Sequence, residues 1–294
     1  MTARIKTFDP RSWTLETALE LKGDTTVSVC IPCRNEADTV GDLIRMIEPD
    51  LLGSLIDELI VLDDDSSDET AYIAEQAGAR VVSIHAVHDT FGPGSGKGNA
   101  LWGSLAVSSG DIVVWIDGDI TSFTRDWIVN LVIPLFLDPE VGLVKASYER
   151  PSHLGGGGRT TELVARPLLS LFFPELTDLH QPLAGEFAGR RSMLTEIPFS
   201  MGWGVEIGMI IDMARAFGVG SLGQVDLGIR LHRHHKLDVL SIQAAEVTAT
   251  LLHRVDTSIM FVEESPTLYR LSGDPVVLNL ETRPPLAQAE RLRR

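Results

Sequence analysis

Basic residues and cysteine are both scarce in this chain. Across 294 residues, 25 Lys and Arg face 41 Asp and Glu, a formal net charge of −16. Nucleic-acid binding rests on many Lys/Arg–phosphate contacts, so a polyanion is excluded as the main partner. A small anionic ligand held by a few local cations is not. The two cysteines, Cys30 and Cys33, form a C-x-x-C that closes a β-rich run. No second pair exists to complete a zinc site, and the redox version of the motif opens a helix, so two small apolar residues at a strand end are expected. The usage predicts a cytoplasmic chain. No apolar run approaches the roughly 18 residues of a membrane helix. Ile128 to Leu137 is short and interrupted by Asn130 and Pro134, and the opening MTARIKTFDPRSW lacks the apolar segment of a secretory signal.

What the chain does have is a globular balance, with 44% apolar and 22% charged residues, and a length that suits one large α/β domain or two tightly joined ones. From about residue 25 to 148, strands and helices alternate. Strands are expected at Thr26–Ile31, Leu59–Leu62, Arg80–Ile84 and Ile112–Ile116, with helices at 37–47, 70–77 and 99–107 between them. Such alternation implies right-handed crossovers and a doubly wound, mostly parallel sheet, whose ligands sit at the carboxyl ends of the strands. After residue 150 the rhythm changes: helices are expected over 160–173, 205–217 and 238–252, and a strand near 225–229. The organisation read from this is an N-terminal arm over 1–24, a nucleotide-binding half over 25–150, a second ligand-binding half over 151–262, and a Pro- and Arg-containing tail, extended or disordered, over 263–294.

Polar groups gather at the strand ends. Asp117-Gly118-Asp119 closes the fourth strand; two carboxylates two residues apart can turn toward one Mg²⁺ or Mn²⁺, the glycine letting a ligand approach. The bland alternative is a solvated, capping turn, which the position on the rim disfavours. Asp63-Asp64-Asp65-Ser66-Ser67-Asp68 lacks the glycine and glutamate of a calcium loop. Asp63 is free to meet a base or ribose, and Ser67 or Asp68 to cap a helix. Gly92 to Gly98 fails the Walker template at Phe91 and Gly98, which disfavours ATP hydrolysis. It reads as an anion contact through Lys97 or as a flexible connector. Gly155 to Gly158 before Arg159, Thr160 and Thr161 reads as an anion nest at a helix start, favoured over a simple cap. Arg230, His232 and His234 alternate after a strand; an imidazole there is a candidate third metal ligand, or the segment is a basic solvated edge.

Taken together, I-P-C-R-N-E-A, D-D-D-S-S-D-E-T, S-G-K-G-N-A-L-W and D-G-D resemble the GT-A glycosyltransferases. The longer G-G-G-R-T-T-E-L-V-A-R-P, Q-P-L-A-G-E, G-W-G-V-E-I-G and L-G-I-R-L-H-R-H resemble the glucosyl-3-phosphoglycerate and mannosyl-3-phosphoglycerate synthase family, over roughly residues 12–255. The resemblance implies a GT-A fold and retaining transfer of glucose, with UDP-glucose favoured, to the 2-hydroxyl of 3-phosphoglycerate. The alternatives are mannose from GDP-mannose and, more remotely, a nucleotidyltransferase. It places the nucleoside-diphosphate sugar on Pro32, Asn35, Glu36, Asp64, Lys97, Asp117, Gly118, Asp119 and Glu206, with Lys97, Asp119 and Glu206 carrying the chemistry. Asp119 and His232 are implied as ligands of Mg²⁺ or Mn²⁺. Gly158, Arg159, Thr161, Arg230 and His234 are implied for the acceptor, and a cytoplasmic homodimer without membrane anchor for the assembly. Asp64, Trp203 and His234 stand where similar sequences carry Ser, Tyr and Asn.

Overall fold

The computed structural model describes residues 4–150, 158–231, 237–255, 267–268, 276–277 and 279–291. His232 and His234 lie outside them, as do Gly155 to Gly157. Nine strands carry the fold: β1 (Lys6–Phe8), β2 (Val27–Cys33), β3 (Glu58–Asp63), β4 (Arg80–Ser83), β5 (Ile112–Trp115), β6 (Leu143–Glu149), β7 (Phe187–Arg190), β8 (Phe199–Ser200) and β9 (Leu222–Ile229). All but β8 join one eight-stranded sheet in the order β1-β9-β6-β7-β5-β2-β3-β4. Pairing is parallel throughout except for β7, which runs antiparallel to both β5 and β6. The sheet is therefore mixed as well as mostly parallel.

Helices α1 (Leu15–Lys22), α2 (Val40–Leu51), α3 (Thr70–Gln76), α4 (Ile84–Phe91), α5 (Gly96–Val107), α6 (Asp126–Leu137), α7 (Arg166–Phe172), α8 (Arg191–Leu194), α9 (Val205–Phe217) and α10 (Leu237–Leu252) cover it. Side chains alternate across a strand, and here both faces are buried, which is why β2, β3 and β5 read as unbroken apolar runs. Val27, Val29 and Ile31 of β2, Val61 of β3 and Val114 of β5 pack with α2 and α6 on one face. Cys30, Ile60, Leu62, Val113 and Trp115 pack with α5 and α9 on the other. The expected cysteine role holds: both thiols are free and buried, and burial pushes Cys30 up to about 12.

Several boundaries differ from expectation for local reasons. The third strand stops at Ser83, whose hydroxyl accepts the His85 N–H and starts α4. Strand β2 runs on through Pro32, which pairs opposite Leu62, to Cys33. The expected helix over 160–173 divides into a π-helical turn, Thr161–Ala165, and α7. Strands β6 and β7 were not expected, because Lys145, Ser147 and Gly189 interrupt their apolar pattern. The first 24 residues, expected as an arm, supply β1, paired with β9, and α1. Within the tail, Thr282–Arg283 pairs antiparallel with β8.

The chain moves outward from β2 through β3 to β4, then returns to the other side of β2 as β5. Ligands bind where strand order reverses in this way. The end of β2 with the turn after it, Pro32–Glu36, and the turn after β5, Asp117–Asp119, stand at that point. Helix α5 is pressed close to it: a Cβ on Gly98 would lie 1.8 Å from the Ser200 carbonyl oxygen, a backbone atom that cannot swing away. Gly98→Ala is expected to destabilise by about 3 kcal/mol, the upper range of overpacking. Gly103→Ala in the same helix meets only side-chain ends at 3.3 Å and is expected to stay within about 1 kcal/mol of wild type. Thermal unfolding of the two variants distinguishes them; equal melting temperatures would contradict the close approach.

Candidate active site

The strand ends open into a cleft of about 480 Å³ bordered by the turns after β2 and β5, the start of α5, residues 158–161, and the Trp203–Glu206 turn. Its electrostatic centre is Asp117. One carboxylate oxygen accepts from Lys97 Nζ at 2.8 Å and the other from Arg230 at 2.9 Å. Lys97 also meets Glu206 Oε1 at 2.8 Å, and Arg230 meets Glu186 Oε1 at 2.9 Å. Two cations and three carboxylates thus form one chain, of which all but Glu186 border the cleft. Burial alone would raise the Asp117 carboxyl; Lys97 and Arg230 outweigh it and hold the group at about 2. Burial would lower Lys97, but Asp117 and Glu206 raise it.

Asp119 is placed differently. Among the described residues its nearest cation is Arg230 at 3.9 Å, beyond hydrogen-bond range. Burial, then the neighbouring Asp117 charge, raises its pKa. A carboxylate on the rim whose charge is poorly compensated is the donor that a divalent cation suits. Glu186 is fully buried, with Oε2 unpartnered among the described residues. A third cation lies beneath: Lys145 on β6 is buried, donates to the Ala184 carbonyl and sits 4.4 Å from the Phe187 ring centroid. Burial pushes it down to about 8.

On the second-ligand side, Gly158 has φ +71° and begins the turn in which Glu162 N–H bonds back to its carbonyl at 2.9 Å. Arg159, exposed, and Thr161, buried, border the cleft there together with Arg150. Arg150 is anchored by Gln181 Oε1 at 2.8 Å and the Tyr148 hydroxyl at 3.1 Å. At the opposite end, Asp64 lies beside Pro32 and Arg34, its carboxyl raised by burial despite Arg34 at 3.9 Å.

Known proteins combine this fold and this rim. Residues 28–197 match the family described as "Glycosyl transferase family 2". The glucosyl-3-phosphoglycerate synthase of Mycolicibacterium smegmatis is 46% identical over 253 residues, 84% of this chain and 83% of that protein. Two crystal structures of the Mycobacterium tuberculosis glucosyl-3-phosphoglycerate synthase superpose over nearly the whole chain. One, in complex with Mn²⁺, UDP-glucose and phosphoglyceric acid, gives TM-score 0.88 at 40% identity and covers 100% of both chains. The other, with Mn²⁺, UDP and glucosyl-3-phosphoglycerate, gives 0.89 at 40% identity, covering 99% of this chain and 100% of that one. This chain belongs to the glucosyl-3-phosphoglycerate synthase family.

As a member of that family it has a GT-A fold, and most of the site residues expected from its sequence converge. Pro32, Glu36, Asp64, Lys97, Asp117, Gly118, Asp119, Gly158, Arg159, Thr161, Glu206 and Arg230 all border the one cleft. Asn35 does not. Its backbone adopts φ +58°, and its side-chain oxygen accepts from Ser67 N at 2.8 Å, so it braces the Asp63–Asp68 loop instead. Asp68 caps that loop's helix, accepting from Thr70 N at 3.0 Å. Gly118 is explained by protein packing, since a Cβ would lie 2.8 Å from Cys33 Sγ and 3.4 Å from Glu36. Asp117 is engaged by Lys97 and Arg230, and Arg230 also lies 3.9 Å from Asp119. Missed by the sequence reading were Lys145 and Arg150. A charged residue inside the otherwise apolar Leu143–Ala146 was the available signal for the first.

The Asp117 network predicts an acid-dependent stability difference. A carboxyl held at about 2 when folded and near 3.9 when unfolded favours the fold fully above about pH 4 and loses that contribution as pH falls toward 2. Asp117→Asn is therefore expected to destabilise by about 3 kcal/mol at pH 7, as when one partner of a buried pair is removed. The gap from wild type should close between about pH 4 and 2 in urea unfolding. A gap constant across that range would contradict the pairing.

Proposed function

We propose that the chain transfers glucose from UDP-glucose to the 2-hydroxyl of 3-phosphoglycerate with retention at the anomeric carbon. The observation that carries this reading is the Asp117–Lys97–Glu206 arrangement at the strand switch point, joined by one cleft to Arg159 and Thr161. Similarity to synthases crystallised with UDP-glucose and phosphoglyceric acid supports it. Asp64 would accept a base N–H, and Pro32 and Glu36 border the nucleotide. Lys97, already positive and aimed from the first turn of α5, would donate to diphosphate oxygens as charge develops on the leaving group. Glu206 would accept from sugar hydroxyls. Arg159, Gly158 N–H and Thr161 would bind the acceptor's phosphate or carboxylate, with Arg230 and His234 nearby in sequence terms.

Mg²⁺ or Mn²⁺, the ions of the related complexes, would supply further charge stabilisation on the diphosphate when bound. Asp119 fits it, and His232 is the further candidate ligand outside the described residues. Among the described residues neither buried glutamate is offered as nucleophile for a double displacement: Glu186 is fully buried against Arg230, and Glu206 is engaged by Lys97. We therefore favour attack on the same face that the diphosphate leaves, the departing phosphate oxygen taking the proton of the acceptor hydroxyl. A homodimer in the cytoplasm completes the reading, supported by the exposed Leu163 and Leu171 beside the cleft-bordering segment. No helix among the described residues is long and apolar enough to cross a membrane.

The deciding assay mixes UDP-glucose, GDP-glucose or GDP-mannose with 3-phosphoglycerate and Mg²⁺ and follows diphosphate release. Release that needs the acceptor and is fastest with UDP-glucose is expected. Silence from all three donors, or pyrophosphate from a nucleoside triphosphate and sugar phosphate, would overturn the reading. Asp119→Ala should abolish turnover, whereas Arg159→Ala should raise the acceptor KM about tenfold or more. A selective rise in the donor KM for Arg159→Ala would reverse the acceptor assignment.

A further inference from the structure

Residues 279–291 of the tail do more than cover the sheet. Arg283, only 6% exposed, enters the protein from the short strand on β8 and places its guanidinium between α4 and α5. It donates to the Phe91 carbonyl at 2.9 Å and the Gly92 carbonyl at 2.8 Å. It also donates twice to Asn99 Oδ1, at 3.1 and 2.8 Å. Its charge lies 5.0 Å from the Trp102 ring centroid, and the Trp102 indole N–H reaches the Pro284 carbonyl at 3.2 Å.

These contacts hold both ends of one loop. Phe91 and Gly92 close α4, where carbonyls without intrahelical partners and the helix dipole favour a cation. Asn99 stands in the first turn of α5. Between them the loop winds tightly round the pair: a Cβ on Gly94 would lie 1.9 Å from Asn99 Oδ1 and 2.5 Å from the Arg283 guanidinium. Lys97 belongs to that same first turn, two residues before Asn99. The partner strand β8 leads directly into Gly202, against which Gly96 packs with a would-be Cβ contact of 2.8 Å, and on to Trp203 and Glu206.

We propose that Arg283 is a positioning residue for Lys97: it fixes the glycine-rich loop and the first turn of α5, so that the ammonium stands where the donor diphosphate accumulates charge. The proposal rests on the reading of Lys97 given above. Four hydrogen bonds from one planar group require the guanidinium fork; a lysine in its place can reach one end of the loop but not both. A loss of about one ångström in the placement of a catalytic group is worth up to about a hundredfold in rate.

The test is a double-mutant cycle on kcat with UDP-glucose, 3-phosphoglycerate and Mg²⁺, using Arg283→Lys, Lys97→Ala and the combination, with Lys97→Arg as the background if the alanine variant is too slow to read. Arg283→Lys is expected to lower kcat about tenfold or more while the acceptor KM stays within about twofold. In the Lys97 variant the same change should lower kcat less than about twofold, because its target is gone. Equal losses in both backgrounds would make Arg283 a general stabiliser and overturn the proposal. So would wild-type kcat in a folded Arg283→Lys or Arg283→Gln enzyme, or failure of both variants to fold. A Lys97→Ala enzyme with undiminished kcat would instead overturn the role of Lys97, and is recognised separately because it appears before Arg283 is altered.

Discussion

Everything at the cleft depends on the compensation of Asp117. A carboxylate at the end of a doubly buried strand would be driven neutral by its surroundings, and only the close approach of Lys97 and Arg230 keeps it charged. Each cation in turn needs a second carboxylate, Glu206 for one and Glu186 for the other. The result is a linear chain of five groups, Glu206, Lys97, Asp117, Arg230 and Glu186, in which each inner member is held by both neighbours. Space is equally constrained: a Cβ on Gly185 would lie 2.1 Å from Asp117 Oδ2, so the residue before Glu186 passes the carboxylate as glycine.

This compensation separates two carboxylates that the sequence presents as equals. Asp117 is satisfied by protein cations, whereas Asp119 is left with Arg230 at 3.9 Å and a raised pKa. The first is suited to holding Lys97 and Arg230 in place, the second to meeting a cation from solution. Two groups two residues apart in one turn acquire different chemistry because one faces the α5 side and the other the rim. At the cleft, positive charge is held in place by carboxylates at Lys97 and Arg230.

The parts legible in the sequence were those where burial changes abruptly. A strand covered on both faces reads as an unbroken apolar run, and its end, Pro32-Cys33-Arg34, Asp63-Asp64 or Asp117-Gly118-Asp119, announces the rim. Position on the rim did not reveal direction: the Asn35 side-chain oxygen turns to Ser67 N. Strands β6 and β7 were hidden because Lys145 and Gly189 break their pattern, the first serving the charge network and the second meeting Leu194 and the Gly142 carbonyl. The end of the chain was illegible for another reason. Two residues of strand have no period, and Arg283 is buried through hydrogen bonds to distant backbone, a match between surfaces that no spacing encodes.

Strand β7 carries a consequence for how the molecule comes into being. It lies between β5 and β6, so those two strands, finished by residue 149, have nothing to pair with across the gap until Phe187–Arg190 has been made. Strand β1 waits longer still, since Lys6 pairs opposite Gly223. A ribosome must therefore extrude about three-quarters of the chain before the first strand finds its place. Pairings of such long sequence separation are slow to form and leave strand edges open meanwhile. The antiparallel strand that follows Glu186 thus leaves the edges of β5 and β6 open while the polypeptide grows.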